Sequence, residues 1–167
     1  MVVSEAVGCD LSPSPRSGYR LGVGIFLLNG SRRVFVGQRR DTRPAAWQMP
    51  QGGIDQGETA IAAALRELQE EAGTDRAEPL LESAVWRSYD LPPAIAARMW
   101  GGRYRGQTQK WVALRFLGAD RDIDLNGPHP EFVAWRWVDP RELADLVVPF
   151  KRAVYLSVVD EFRPLWA

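Results

Sequence analysis

The residues most suited to catalysis or metal binding are three glutamates, Glu67, Glu70 and Glu71. They lie in the stretch GGIDQGETAIAAALRELQEEAG, residues 52–73. The second half of this stretch has the spacing of a helix. At about 100° per residue the three carboxylates share one face of that helix. A separate apolar stripe is formed by Ile61, Leu65, Leu68 and Ala72. We therefore expect the helix to pack through this stripe and to present the carboxylates on the opposite face.

The position of these acids within the helix needs an explanation. Carboxylates near a helix C-terminus are unfavourable by roughly 0.3–1 kcal/mol each at exposed sites, and like charges three or four residues apart repel. A solvated acidic face is one interpretation. The preceding glycines, Gly52, Gly53 and Gly57, allow backbone to approach a ligand closely and favour a second one. In that interpretation the acids bind divalent cations, with Mg²⁺ expected and Mn²⁺ or Zn²⁺ as alternatives.

The whole chain has the composition of an ordinary globular domain. It has 167 residues, 21 basic and 21 acidic side chains and a single cysteine, Cys9. The neutral balance argues against sequence-independent coating of nucleic acid, and one cysteine cannot form an internal disulfide, which fits a reducing compartment. The sequence contains no stretch typical of a membrane span or a secretory signal. We expect one cytoplasmic domain with no membrane segment and no protein partner.

Strands and helices are mixed around the acidic helix. Strands are expected at residues 19–28, 33–40, 80–91, 108–117 and 131–138, and further helices at residues 143–148 and 150–162. Asn29-Gly30 predicts a hairpin between the first two strands, because both residues tolerate positive φ. A loop containing Pro44 follows the second strand. Gly73 is placed to end the acidic helix in the left-handed conformation.

Two segments are expected to be irregular. Residues 1–18 are rich in Ser, Pro and Gly after residue 11 and predict a flexible N-terminal extension. Residues 92–107 predict a long irregular connection between strands, and connections of that length are often functional or mobile.

The glycine-rich stretch and the helix together resemble the Nudix signature. Gly52 is followed after five residues by Glu58, and after seven more by Arg66-Glu67-Leu68-Gln69-Glu70-Glu71-Ala72-Gly73. The departure is Thr74, where the family usually has an aliphatic residue, which weakens one packing contact and leaves the chemistry untouched. The resemblance implies an α/β fold over residues 19–167, an α/β/α sandwich with a mixed sheet between helices. It also implies hydrolysis of a nucleoside diphosphate linked to another group.

The resemblance also assigns roles to particular residues. It implies that Glu67, Glu70 and Glu71 are metal ligands, and that Glu131 supplies a further carboxylate from outside the helix. Glu58 would orient Arg66 and the glycine-rich loop, so the expected catalytic set is Glu58, Arg66, Glu67, Glu70 and Glu71. Which glutamate accepts the proton of the attacking water varies across the family, and Glu67 is our choice here.

Segments outside the signature resemble one branch of the family, the bacterial RNA pyrophosphohydrolases, which overlap with dinucleoside polyphosphate hydrolases. These segments are GYR (18–20), WQMPQGGID (47–55), GQTQKW (106–111), PEF.AWRWV (130–138) and FKR.VY (150–155). The expected substrate is 5′-triphosphorylated RNA. A dinucleoside polyphosphate such as diadenosine tetraphosphate is the alternative. A non-catalytic module that binds RNA ends is a third possibility, which the complete set of glutamates disfavours.

Substrate-binding residues are expected in three groups. Arginine and lysine suit phosphate oxygens, and the candidate cations are Arg20, Arg39, Arg40, Lys110 and Lys151; each could instead only solubilise a strand end. The glycine-rich loop adds Gln51, Gly52 and Gly53. Tyr89 and Phe150 could stack on a base, although aromatic residues at such positions are more often core. The resemblance of PFK (149–151) to the base pocket of the branch favours Phe150. His129 is interpreted as a loop residue.

Overall fold

The computed structural model describes residues 9–42 and 46–167. Within these residues the strands form one mixed sheet. They are β1 (Asp10–Ser12), β2 (Arg20–Leu28), β3 (Val34–Arg39), β4 (Trp47–Gln48), β5 (Gln51–Gly53), β6 (Ala77–Asp90), β7 (Gly106–Phe116) and β8 (Phe132–Val138). The α-helices are α1 (Ala60–Ala72), α2 (Pro93–Ala96), α3 (Leu143–Leu146), α4 (Arg152–Glu161) and α5 (Arg163–Trp166). Short 3₁₀ turns cover Met99–Gly102, Asp120–Asp122, Pro140–Glu142 and Pro149–Lys151.

The centre of the sheet is the parallel pair β2 and β7, in register from Arg20 beside Gln107 to Leu28 beside Arg115. The strand order is β1-β6-β7-β2-β3-β4, with β8 paired to β3. The short strand β5 runs antiparallel to the start of β2 and places Gly52 opposite Val23. The glycine-rich segment is therefore part of the sheet, held against its most buried strand.

Side chains along β2 point alternately to the two faces of the sheet, so they belong to two separate parts of the core. Val23 and Ile25 pack with α1 on one face, whereas Phe26 packs with α4 on the other. This inward and outward alternation is the period of an extended strand. Both faces are covered by helices, so the expected α/β/α sandwich with a mixed sheet is confirmed.

Helix α1 begins and ends at residues suited to those positions. The Thr59 hydroxyl accepts a hydrogen bond from the Ala62 N–H at 3.1 Å, which caps the first turn. Gly73 has φ 71° and its N–H donates to the Gln69 carbonyl. The left-handed conformation favours glycine, so the expected terminator of α1 is confirmed.

A buried ion pair joins α4 to the sheet. The Arg87 guanidinium on β6 is 2% exposed. It donates to Glu161 Oε1 at 2.8 Å and to the hydroxyls of Ser83 and Ser157. All of these partners lie on β6 or α4, and they compensate the cost of burying the charge. The pair holds α4 and the preceding Lys151 in place across the sheet.

The predicted hairpin is confirmed, because β2 and β3 pair antiparallel, but its turn and two other connections differ from expectation. The turn between β2 and β3 contains residues 29–33, and its positive φ lies at Arg32 (59°). The Asn29 side chain accepts from the backbone N–H groups of Ser31 and Arg33, so it shapes the turn through hydrogen bonds without a left-handed backbone. The 92–107 connection contains α2 and a 3₁₀ turn.

The expectation of a flexible N-terminal extension is wrong for residues 10–12, because β1 pairs with β6 from Asp10 beside Ser88 to Ser12 beside Trp86. Residues 1–8 of that extension lie outside the described residues. Pro44, expected in the loop after the second strand, lies outside them as well. In the described part of the chain, no helix combines the length and the apolar character needed to span a membrane.

Candidate active site

Helix α1 turns two of its three glutamates toward the sheet. Glu67 and Glu71 are 9% and 6% exposed, whereas Glu70 is exposed to solvent. The expectation that all three lie on the face opposite the packing surface is therefore wrong. Leu68 and Ala72 of the expected apolar stripe are buried, and Ile61 and Leu65 are half-buried. The buried face also contains small residues and the two glutamates, and its further members are Ala60, Ala63, Ala64, Glu67 and Glu71. Alanine side chains let the helix lie close to the sheet, and this close approach buries the two carboxylates.

Gly52 accommodates the Glu67 carboxylate. A Cβ atom at Gly52 would lie 1.9 Å from the Glu67 carboxyl carbon, far inside van der Waals contact. The absence of a side chain on β5 thus leaves the space that the carboxylate occupies. At the next residue, a Cβ atom on Gly53 would lie 2.6 Å from Arg20 Nη2. Both glycines therefore allow charged side chains to pack directly on the backbone of β5.

Glu71 carries a buried carboxylate oxygen without a donor. Its Oε2 accepts a hydrogen bond from the Gln51 N–H at 3.2 Å, but among the described residues its Oε1 has no hydrogen-bond partner. Burial, reinforced by the nearby carboxylates of Glu131 and Glu67, raises the pKa of Glu71 well above its ordinary value. A buried carboxylate is costly without a compensating positive partner, so this oxygen is directed to a cation or a proton.

Arg66 links the glycine-rich loop to the acidic helix. Its Nε and Nη2 each donate to the Glu58 carboxylate at 2.9 Å, and Nη2 also donates to the Gly53 carbonyl at 2.8 Å. These hydrogen bonds from Arg66, with one from the Asp55 N–H, lower the pKa of Glu58 to about 2. The contact expected between Glu58 and Arg66 is present.

Arg66 also bridges two of the expected metal ligands. Its Nη1 lies 2.9 Å from Glu67 Oε1 and 3.3 Å from Glu70 Oε1. In this arrangement no group of three His, Cys, Asp or Glu side chains in residues 9–42 and 46–167 is close enough together to hold an ion. The donor set nevertheless suits a hard divalent cation, because every candidate atom is a carboxylate oxygen and one of them is buried without a partner. Arg66 contacts only Oε1 of each of these two carboxylates, so the Oε2 atoms of Glu67 and Glu70 are not engaged by it.

A cavity of about 1280 Å³ opens beside these carboxylates. Most of the residues expected at the site line it, and they are Arg20, Arg39, Arg40, Gln51, Gly52, Gly53, Glu67, Glu70, Glu131, Phe150 and Lys151. Carboxylates of α1 therefore line the same cavity as cations from β2, β3 and the turn before α4. This mixture of charges suits a polyanion that contacts both metal ions and basic side chains.

Two of the basic side chains are held firmly in place. Arg39 donates to both oxygens of Asp41, at 2.8 and 2.7 Å, and to Gln48 Oε1 at 3.3 Å. Lys151 is 3% exposed, and its Nζ lies 3.2 Å from Gln48 Oε1 and 3.3 Å from Gln51 Oε1. Burial and the neighbouring Arg39 charge lower the pKa of Lys151 to about 7.

Two of the expected substrate-binding residues do not line the cavity. Lys110 lies 4.0 Å from the Glu82 carboxylate and over the Trp86 ring, so it belongs to the β6–β7 surface. Tyr89 is 2% exposed; its hydroxyl accepts from Gln107, and its ring packs against Phe150. The structure therefore places neither side chain at the cavity, and their contacts with substrate stay predictions. Tyr89 supports Phe150 from behind.

The connection between β6 and β7 also lines the cavity, through residues that no sequence motif singled out. Ile95, Arg98, Met99 and Trp100 line the cavity. The Trp100 ring lies 4.8 Å from the Arg20 guanidinium carbon, a cation–π contact. The length of the connection and the Trp-Gly-Gly sequence within it were the available signals.

Comparison with known proteins agrees with this geometry. The NUDIX domain family model matches residues 18–158. An RNA pyrophosphohydrolase from Rhodospirillum rubrum is 58% identical, with 86% of this chain and 86% of the relative covered. One from Dinoroseobacter shibae is 54% identical, covering 86% and 91%. The solved structure of a dihydroneopterin triphosphate pyrophosphohydrolase from E. coli superimposes with a TM-score of 0.62 at 25% identity, covering 86% of this chain and 98% of that one.

The extent of these matches decides the class of protein. The family model covers most of the chain, and relatives above half identity span nearly all of it. The chain belongs to the Nudix family. The resemblance seen in residues 52–73 is therefore confirmed.

Proposed function

We propose that this protein is a cytoplasmic RNA pyrophosphohydrolase that converts the 5′-triphosphate end of RNA to a 5′-monophosphate and releases pyrophosphate. The observation that carries the proposal is similarity at 49–58% identity, over 86–89% of this chain, to proteins named RNA pyrophosphohydrolase. The cavity supports it, because carboxylates and basic side chains face the same space. A polyphosphate end fits this distribution of charge.

Nudix hydrolases depend on divalent metal ions in general. In this protein we assign the ion to Glu67, Glu70, Glu71 and Glu131, with Mg²⁺ preferred over Mn²⁺ or Zn²⁺ because all of the donors are carboxylate oxygens. A bound divalent cation would lower the pKa of a water molecule and neutralise charge on the phosphate oxygens. The unpartnered oxygen of Glu71 supports this assignment.

The remaining roles belong to the protein's own side chains. Arg20 and Arg39, together with Arg40 at the rim, bind the phosphate chain as fixed positive charges, and Lys151 adds a charge in its protonated form. Glu67 accepts the proton of the attacking water. Glu58 and Arg66 position the glycine-rich loop without touching substrate.

Phe150 is the proposed contact with the first base. Its ring lies at the cavity wall and is supported by Tyr89 at a centroid distance of 6.2 Å. Aromatic faces stack on bases with little sequence preference. The next residue, Lys151, is one of the proposed phosphate-binding side chains. The short turn Pro149–Lys151 therefore supplies a stacking face and a positive charge from adjacent residues.

The test compares two substrates that share a polyphosphate joined to a base. The kcat/KM of the purified protein is measured with Mg²⁺ on triphosphorylated RNA and on diadenosine tetraphosphate. We expect a higher value on RNA. A strong preference for the dinucleotide would refute the proposed substrate and favour dinucleoside polyphosphate hydrolysis. Binding of RNA ends with no hydrolysis of either substrate would instead indicate a non-catalytic module.

A further inference from the structure

The connection between β6 and β7 carries a concentration of positive charge in a chain that is neutral overall. Residues 91–105, here called the arginine segment, contain Arg98, Arg103 and Arg105 and no aspartate or glutamate. The proposed chemistry uses none of these three arginines. This local excess contrasts with the balance of 21 basic and 21 acidic residues in the whole chain.

The arginine segment runs from inside the cavity to the outer surface. Arg98 and Trp100 line the cavity, next to Arg20. Trp100, Gly101 and Gly102 follow with φ of 50°, 67° and 72°. Three consecutive left-handed residues reverse the chain sharply, and a tryptophan rarely adopts this conformation. The reversal holds Trp100 against Arg20 while the residues that follow lead out over the surface.

Beyond this reversal, arginines alternate with tyrosines. The Arg103 guanidinium lies 5.7 Å from the Tyr104 ring, and Arg105 lies 5.9 Å from the Tyr19 ring. Arg16 lies 4.9 Å from the same ring, and Tyr19 itself is buried beneath these arginines. Arg103 and Arg105 are exposed, and the Tyr104 side chain is partly exposed.

The acidic groups around this surface neutralise only part of its charge. Asp90 pairs with Arg105 at 3.0 Å, and Asp10 pairs with Arg16. Within the described residues, Arg98 and Arg103 have no carboxylate within 4.0 Å. Exposed pairs such as Asp90 with Arg105 are weak and screened by salt. Arg105 therefore remains accessible to a polyanion, as do Arg98 and Arg103.

We propose that Arg16 and residues 98–105 bind the single-stranded RNA that follows the 5′-terminal nucleotides. This inference rests on the proposed RNA substrate and extends it away from the reacting phosphates. Basic grooves combined with aromatic faces are the usual means of binding single strands without sequence preference. The strand leaves the cavity past Trp100 and continues along Arg103 and Arg105, while a dinucleoside polyphosphate has no strand to reach them.

The experiment uses two triphosphorylated substrates, a dinucleotide and an unstructured RNA about 15 nucleotides long. The kcat/KM of the full protein is measured on both at low and high KCl. The double variant Arg103→Ala/Arg105→Ala is expected to lose about tenfold in kcat/KM on the long RNA, through KM. Its kcat/KM on the dinucleotide is expected to stay unchanged. For the long RNA, the slope of log kcat/KM against log salt concentration should become less negative by about one.

A matched control removes the same charge elsewhere. Arg121 is exposed and has no carboxylate partner among the described residues, and Arg163 pairs with Asp160 and lies over the Trp166 ring. Arg121→Ala/Arg163→Ala is expected to behave like the wild type on both substrates. Equal losses for the Arg103/Arg105 variant on both substrates, or no loss on either, overturn the inference and leave the proposed function intact. Failure of the wild type to hydrolyse either RNA, with hydrolysis of diadenosine tetraphosphate, overturns the proposed function itself.

Discussion

At the residue scale, the site is defined by charged groups that the fold buries. Lys151 is 3% exposed and Glu71 is 6% exposed. Such groups are almost never fully buried without partners. Gln48 and Gln51 accept hydrogen bonds from Lys151. The nearby carboxylates of Glu71, Asp41 and Glu131 offset only part of the cost of burying its charge. Glu71 keeps an unpartnered oxygen on the other side of Gln51. Both groups therefore stay ready for ligands of opposite charge.

The first prediction concerns the pH dependence of substrate binding. The pKa of Lys151 is lowered to about 7, so the side chain is charged below that pH and neutral above it. Bound phosphate favours the ammonium form. The KM for triphosphorylated RNA should therefore rise as pH rises through about 7. Replacing Lys151 by Met should remove this rise, which KM measured between roughly pH 6 and pH 8 would detect.

Lys110→Met is the control, because this lysine pairs with Glu82 outside the cavity. It should keep the wild-type pH profile. Retention of the same inflection in the Lys151→Met variant would assign the titration to another group.

At the element scale, the site depends on how closely α1 approaches β5. Small residues at 60, 63 and 64 line the buried face of α1, and Gly52 provides the facing space on β5. Arg66 then ties the two elements together through the Gly53 carbonyl. The register of β5 on β2 keeps this arrangement rigid. The carboxylates are thus positioned by backbone packing as well as by their own hydrogen bonds.

Gly52→Ala tests this dependence. The new methyl group would overlap the Glu67 carboxylate, with 1.9 Å between the Cβ and the carboxyl carbon, and must displace it. A displacement of about 1 Å in a catalytic group can reduce the rate roughly 100-fold. We expect kcat to fall by about that factor, and the free energy of unfolding to fall by about 1–3 kcal/mol from overpacking. Steady-state kinetics and urea unfolding measure the two effects.

Gly30→Ala serves as the matched substitution. A Cβ atom at Gly30 meets nothing within 4 Å, and its φ is not positive. Its kcat and stability should stay close to those of the wild type. Wild-type kcat in the Gly52→Ala variant would show that the position of Glu67 is not critical.

At the scale of the whole molecule, a neutral chain gathers charges of both signs around one cavity. The glycine-rich segment lies on β5 and the acidic helix follows it, while Arg20, Arg39 and Lys151 come from β2, β3 and the turn before α4. The sheet brings these segments together from distant parts of the sequence. Mutual repulsion of the carboxylates opposes folding in the absence of a cation, so metal binding and stability are coupled.

The resulting prediction is that Mg²⁺ raises the thermal stability of the protein. A ligand that binds only the folded state stabilises it by about 2.7 kcal/mol at 100 times its Kd. Glu71→Gln removes one buried carboxylate. The variant should therefore melt at a higher temperature than the wild type without metal, and should gain less from Mg²⁺. It should also lose about two decades or more of activity.

Thermal unfolding followed by circular dichroism, with KCl at matched ionic strength, measures the metal effect. Glu78→Gln is the control, because Glu78 is an exposed residue on β6 that pairs with Arg115. It should respond to Mg²⁺ as the wild type does. An identical Mg²⁺ response in the Glu71→Gln variant would place the ion elsewhere.

The sequence alone determined the features that depend on local spacing. The period of the strands and the end of α1 at Gly73 follow from residue types at short separations along the chain. The pairing of Glu58 with Arg66 was implied by the resemblance to the family's signature. The signature in residues 52–73 also determined the family. These features could be predicted because turn geometry, capping and side-chain reach over one or two helical turns need no distant partner.

The tertiary structure alone decided which side chains face the cavity. It placed Glu67 and Glu71 against the sheet, excluded Lys110 and Tyr89 from the cavity, and brought Trp100 over Arg20. Hydrophobic periodicity indicates which face of a helix is apolar, but burial depends on the shape of the partner surface. A strand with glycine at 52 and a helix with alanines at 60, 63 and 64 approach closely enough to bury carboxylates, and that fit exists only once the two segments meet.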